Sequence, residues 1–296
     1  MTEFFTNLFE KENIKNFSAR ALARGFAPTP HAMAELEAER VKLAKRDRKE
    51  ANGLLDAVFA EDVPRVTHLL AIGVNPDARI DTAQPCSVKG WMDGESALAI
   101  AITIGNVPIA RLLLEAGAST ELAVVERKTT PLMEAALMNK LEGAQLLVEW
   151  SAKLNAVSKL GKTALIVAAF FGHATMVQFL VDSGADLNVQ EGLGFTALFW
   201  AAAKGRIEPT RILLDAGAEL DLEDKKGRTP AKMALLNKHV ATLELLLRYG
   251  ASAHRAAVLP QMQGAQWTED EKNRMRIIVS ALNEQPSVVH LLADHG

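Results

Sequence analysis

Thr163-Ala164-Leu165-Ile166-Val167-Ala168-Ala169, closed further on by Gly184-Ala185-Asp186-Leu187-Asn188, is the stretch whose reading decides the fold. Its opening triplet returns every 33 residues, as Thr130-Pro131-Leu132, Thr163-Ala164-Leu165, Thr196-Ala197-Leu198 and Thr229-Pro230-Ala231. Its closing landmark keeps the same step, because Ser151, Gly184, Gly217 and Gly250 are each followed by Ala. The threonine can cap a short helix, and Ala168 and Ala169 let neighbouring helices approach closely. The run Met176-Val177-Gln178-Phe179-Leu180-Val181 supplies a second helix, which Gly184 ends in a backbone conformation that suits glycine. The chain is an array of helical pairs.

A 33-residue unit with a T-P-L-like start and a glycine-alanine finish resembles the ankyrin repeat. Leu114-Glu115-Ala116-Gly117-Ala118 and Leu214-Asp215-Ala216-Gly217-Ala218 repeat the finish, and the resemblance covers Leu54 to Ala257. It implies an all-α solenoid of about six units, the first degenerate, with helix-turn-helix units and β-hairpin-like loops. The expected organisation is an N-terminal helical segment or cap over 1–49, the array over 50–257, and a C-terminal helical cap over 258–296.

Departures from the period locate irregularities. Ser96-Ala97-Leu98 starts a unit 34 residues before Thr130, so one extra residue sits near Glu121 to Thr129. Gly73 precedes Gly117 by 44 residues, and the excess of 11 falls in Arg79 to Asp93, where Pro85, Gly90 and Gly94 mark a loop. The unit at Lys128-Thr129-Thr130 lacks the turn glycine, which puts its turn geometry in question. Lys232 stands where the family usually has histidine.

The ends need sealing, because a terminal repeat would expose its stacking face. Pro30 to Ala60 reads as a charged helix that runs into the first inner helix, and Asp62 to Leu70 reads as the matching outer helix. Before them, Phe4, Phe5, Leu8, Phe9, Ile14 and Phe17 form a loose apolar face, either a cap or a docking helix. Thr268-Glu269-Asp270-Glu271 opens a C-terminal helix with acidic residues in its first turn.

Charge and composition restrict the function classes. The net charge is -3, with ten Lys+Arg against eight Asp+Glu in residues 1–50 and 23 against 28 in the remainder. Neither part has the clustered basic excess that a phosphate backbone requires, so nucleic acid is not an expected partner. Cys86 is the lone cysteine, which leaves no intramolecular disulfide and suits a reducing compartment. The start carries no secretory signal pattern, and no stretch reaches the ~18 apolar residues of a membrane span. A cytoplasmic protein with no membrane contact is expected.

Chemistry is sparse. The patterns G-x-S-x-G, H-E-x-x-H and G-x-x-x-x-G-K-S/T are absent, and there is no cysteine pair for zinc. No catalytic residue, cofactor or metal site is expected. His173 and His239 share one repeat position, where the resemblance implies an imidazole that ties adjacent units together.

Binding is the remaining role. The resemblance places contact residues on a concave face, at the two residues before each turn glycine, the one after it, and the two at the end of each inner helix. These positions hold Lys159, Leu160, Lys162, Phe170 and Phe171 in the fourth unit, and Gly192, Leu193, Phe195, Ala203 and Lys204 in the fifth. The third supplies Glu126, Arg127, Thr129, Leu137 and Met138, and the sixth Lys225, Lys226, Arg228, Leu236 and Asn237. Leu137, Met138, Leu160, Phe170, Phe171, Leu193 and Phe195 are expected to form one apolar patch, rimmed by Arg127, Lys159, Lys204 and Arg228. Trp200 reads as core. The resulting expectation is a non-enzymatic module, monomeric apart from one protein partner, acting as adaptor, inhibitor or effector-neutralising protein. The alternative is an exported effector or enzyme accessory protein whose N-terminal helices act while the repeats target it.

Overall fold

The computed structural model describes residues 49–80, 94–251, 268–270 and 272–273. Contacts group the chain into two units, Met1–Glu50 and Ala51–Gly296, and the array belongs to the second. Its helices come in pairs. Residues 51–59 (α1) pair with Val63–Ala71 (α2), Ala97–Ile104 (α3) with Val107–Glu115 (α4), and Pro131–Leu137 (α5) with Leu141–Glu149 (α6). Ala164–Phe171 (α7) pairs with Ala174–Asp182 (α8), Ala197–Ala203 (α9) with Ile207–Asp215 (α10), and Pro230–Leu236 (α11) with Val240–Arg248 (α12). From α3 onward, the first helix of each pair packs on its counterparts in the adjacent pairs and forms the inner layer. Among the described residues the only β feature is an isolated antiparallel bridge between Arg79 and Ser96.

The inner helices begin where a hydroxyl satisfies a free backbone donor. Ser96, Thr130, Thr163, Thr196 and Thr229 each accept the N–H of the residue three further on, at 3.1–3.4 Å. Each such cap stabilises its helix by about 1 kcal/mol. The same threonine position therefore sets both the phase of the repeat and the start of the helix.

One register position then controls how closely the inner helices approach. Ala57, Ala101, Ala135, Ala168, Ala201 and Ala234 occupy it, and all are fully buried. One turn earlier, Leu54, Leu98, Leu132, Leu165 and Leu198 are buried in the same core. The main core is one continuous cluster that runs through all six pairs.

Outer helices end as the glycine spacing requires. After α8, Gly184 N–H donates to Val181 O at 2.9 Å and Ala185 N–H to Leu180 O at 3.0 Å, with Gly184 at φ +87°. This pair of bonds satisfies carbonyls that the helix end would otherwise leave open. Ser151 takes the equivalent position at φ +61°, so a small polar residue also closes this turn.

Two irregularities resolve in the described residues. In the regular tips, Ser158 N–H donates to Lys162 O, Glu191 to Phe195 O and Asp224 to Arg228 O, each spanning four residues. The third unit spans five, with Val124 N–H donating to Thr129 O. That is the extra residue, and it explains how the turn closes without glycine, since Lys128 adopts φ +52° in the wider tip. In the second unit Ile80 N–H donates to Glu95 O at 2.9 Å and Gly94 N–H to Ile80 O at 2.9 Å, so the 11 additional residues enter between Ile80 and Gly94. The inserted segment itself, with Cys86 and Trp91, lies outside the described residues.

The expected N-terminal helices before residue 49 and most of the expected C-terminal cap also lie outside them. At the C-terminal side, Lys272 N–H donates to Thr268 O at 3.0 Å, and residues 269–270 and 272–273 are helical, so a helical turn starts where the acidic run placed it.

A Cβ added at Gly184 would meet no atom within 4 Å, so its substitution tests backbone strain alone. Gly184→Val should lower the melting midpoint by the equivalent of about 1–3 kcal/mol, and Gly184→Ala by less. Calorimetry that finds the two variants equal to the parent would show that φ at this turn carries no constraint.

Candidate functional site

The inner side of the array is built by two rows of positions, the loop tips and the ends of the inner helices. Backbone hydrogen bonds join one tip to the next. Lys159 N–H donates to Arg127 O at 2.9 Å, Gly192 N–H to Leu160 O at 2.9 Å and Lys225 N–H to Leu193 O at 3.1 Å. Gly161 permits this approach, since a Cβ there would lie 3.0 Å from Gly192 N. The side chains of Leu160 and Leu193 are thereby held outward on neighbouring tips.

The inner-helix ends are tied across units in the same way. Lys140 Nζ donates to Ile104 O at 3.0 Å, His173 Nε2 lies 3.3 Å from Leu137 O, and Arg206 Nε donates to Phe170 O at 3.4 Å. Each link joins residues 36 apart, and in the last pair Asn237 Nδ2 donates to Ala203 O at 2.7 Å. His173 therefore carries the structural role that the repeat implied for it, whereas lysine and arginine perform the same task elsewhere. His239 packs against the preceding turn, where a Cβ on Gly205 would fall 2.5 Å from its Nδ1.

Four of the expected patch residues are exposed: Leu160 at 64%, Leu193 at 57%, Met138 at 49% and Phe171 at 42%. Leu137 and Phe170 are half-buried beside them. The expectation fails at Phe195, which is 8% exposed. Its ring stacks on Phe199 with centroids 4.4 Å apart and belongs with Phe199 and Ala203 to a small cluster that Met233 helps to cover. Ala203 is buried as well, so it also leaves the expected contact set.

Trp200 departs in the other direction. It is half-buried and meets Phe170 and Phe195 edge-on at 4.8 and 5.0 Å. Val167, Trp200 and Met233 lie one helical turn before Phe170, Ala203 and Leu236, and a face read only from helix ends misses them. Its signal was the i, i+3 spacing to the end residues.

Cations cover these rings. Lys162 Nζ lies 5.3 Å from the Phe170 centroid and 5.1 Å from that of Trp200, and Lys204 Nζ lies 4.8 Å from Phe170. At such distances an ammonium is drawn to the ring face, by ~0.5–1 kcal/mol where water reaches it. Phe170 and Trp200 thus sit under two ammonium groups, with Phe171 edge-on to Phe170 at 4.9 Å.

The two arginines expected on the rim are largely occupied within the fold. Arg127 lies 3.4 Å from Glu95 and 3.6 Å from Glu134, two carboxylates that are nearly buried, and Thr129 Oγ1 donates to Glu134 at 2.6 Å. Arg228 pairs with the buried Asp224 at 2.6 Å and stands 5.8 Å over the Phe195 ring. Burial works to raise the Asp224 carboxyl, but the side-chain bond from Arg228, the backbone N–H groups of Arg228 and Lys226, and the charge of Arg228 outweigh it. Asp224 is held below its ordinary value. By contrast Lys159 and Lys204 are exposed and Lys162 is half-buried, and no ion pair engages any of the three among the described residues.

Among the described residues no group of three or more His, Cys, Asp and Glu could hold a metal ion, and no helix is long and apolar enough to cross a membrane. A family model described as ankyrin repeats (3 copies) matches residues 54–158 and again residues 165–257, more than half of the chain. No curated protein matches the chain in sequence.

The Asp224 ion pair has a pH signature. Because its folded value lies below 3.8, its contribution is fully present above that pH and is lost as pH falls through the folded value. Asp224→Asn should cost on the order of 1–3 kcal/mol at neutral pH. Thermal melts across the acid range should show a constant gap from the parent above about pH 5 that closes below the ordinary carboxylate range. A gap independent of pH down to unfolding would show that the charge of Asp224 does not stabilise the tip.

Proposed function

The chain belongs to the ankyrin-repeat family, whose arrays are generally protein-protein interaction modules, and from that premise we propose that it is a non-enzymatic module that holds one protein partner as adaptor or inhibitor. Contact is made through the inner face of units three to six, the side that is concave in arrays of this kind. The observation that carries the reading is the exposure of Met138, Leu160, Phe171 and Leu193 beside the half-buried Phe170 and Trp200. Large apolar side chains held at fixed spacing on ordered tips and helix ends lose little entropy on docking, and aromatic members are typical of the buried centre of an interface.

No step of chemistry is assigned to the face. Arginines engage Glu95, Glu134 and Asp224, Glu191 accepts the Leu193 N–H, and His173 ties two units together. The protein is expected to be monomeric without its partner and to act in the cytoplasm.

Isolation from its own cell with whatever stays bound, followed by substitution, tests the role. Phe171→Ser with Leu160→Ser should abolish retention of the partner and leave the melting midpoint close to that of the parent, because exposed side chains leave no cavity. Phe195→Ser should instead lower the midpoint by the equivalent of about 3 kcal/mol or more, as loss of a buried ring does. Retention undiminished in the double variant would place binding elsewhere on the molecule.

A further inference from the structure

The near-neutral net charge of -3 conceals a division of charge between the two sides of the array. The tips over 124–129, 158–162, 191–195 and 224–228 and the inner-helix ends carry Lys128, Lys159, Lys162, Lys204, Lys225 and Lys226. None of these six has an ion-pair partner among the described residues, and five are exposed, Lys162 being half-buried. The acidic residues of the same positions are Glu126, which is exposed, and Glu191 and Asp224, which are buried. The outer helices reverse the balance, with Glu115, Glu142, Glu149, Asp182, Glu208, Asp215 and Glu244 against Arg65, Arg111, Arg211 and Arg248.

Deepening the reading above, and resting on it, we propose that the inner face of units three to six takes an acidic protein segment bearing apolar side chains. Charge complementarity selects the sign of the partner. Six uncompensated ammonium groups on a single face create a local positive field, and a segment rich in Asp and Glu relieves their mutual repulsion while avoiding the acidic outer side. The apolar members select the class. Leu160 and Leu193 stand on the tips among these lysines, and Met138 and Phe171 lie on the helix ends opposite. A phosphodiester chain has nothing to bury against four such side chains. A carboxylate can draw Lys162 and Lys204 from the rings and leave Phe170 and Trp200 to receive an apolar side chain.

The test uses the full chain and a dye-labelled peptide in which Asp and Glu flank a central Leu-Phe-Leu. Controls are the same peptide with Asn and Gln for the acids, and an oligothymidylate of equal charge. Fluorescence anisotropy should show the acidic peptide binding at least about tenfold more tightly than either control. Its Kd should rise about tenfold or more from about 0.05 to about 0.3 M salt. Lys162→Gln with Lys204→Gln should weaken it by a similar factor, and Lys225→Gln with Lys226→Gln, on exposed tips, gives a second pair should the first fail to fold. Equal binding of the neutral peptide overturns the inference and leaves the protein-binding role intact. Tighter binding of the oligothymidylate overturns both. No binding of the acidic peptide at about 1 mM, or binding indifferent to both lysine pairs, also overturns the inference. Acidic-peptide binding untouched by Phe171→Ser with Leu193→Ser would overturn the apolar part of the contact.

Discussion

The structure depends on the distance between successive inner helices, and a column of six buried alanines, Ala57, Ala101, Ala135, Ala168, Ala201 and Ala234, sets that distance. A methyl group at each crossing lets the backbones approach until their end carbonyls come within reach of the next unit. Ile104 O, Leu137 O, Phe170 O and Ala203 O then accept from Lys140, His173, Arg206 and Asn237. The outer loops use the same spacing: Asp77, Glu121, Asn155 and Asn188 accept backbone N–H groups from Ser119, Lys153, Asp186 and Glu219 at 2.8–3.0 Å. A larger residue in the column would part the helices and open both rows of bonds.

The fold was legible because each unit makes the same demands on the chain. A hydroxyl is needed where an inner helix starts, a small side chain where helices cross, and a residue tolerant of positive φ where an outer helix stops. Thr163, Ala168 and Gly184 meet these needs in one unit, and their counterparts meet them in the next. The turn at Lys128 was less legible, because its solution is a longer tip and not a residue type. The length was visible in the 34-residue step from Ser96 to Thr130, but length alone does not show that a lysine can hold φ +52°.

The face was legible by position and less so by direction. Repeat phase placed Phe171, Leu160 and Leu193 outward, and their exposure agrees. Phase could not show that the Phe195 ring turns inward onto Phe199, which depends on Trp200 and Met233 from two different units. Nor could it show that Arg127 is engaged by Glu95 and Glu134, since Glu95 lies 32 residues earlier and meets Arg127 only after the units stack. Contacts between units escape any reading that treats one unit at a time.

The rows of bonds between units also bear on how the array is made. Among the described residues these side-chain links join residues no more than 45 apart, and most join residues 31 to 36 apart. No closure has to wait for a distant part of the chain, so the loop entropy to be overcome at each step is small and nearly constant. A unit can close as soon as the one before it exists, which lets order spread along a nascent chain at the pace of synthesis. The 11 additional residues that enter between Ile80 and Gly94 give this progress a longer interval to close, and they fall early, before the four units that carry the inner face.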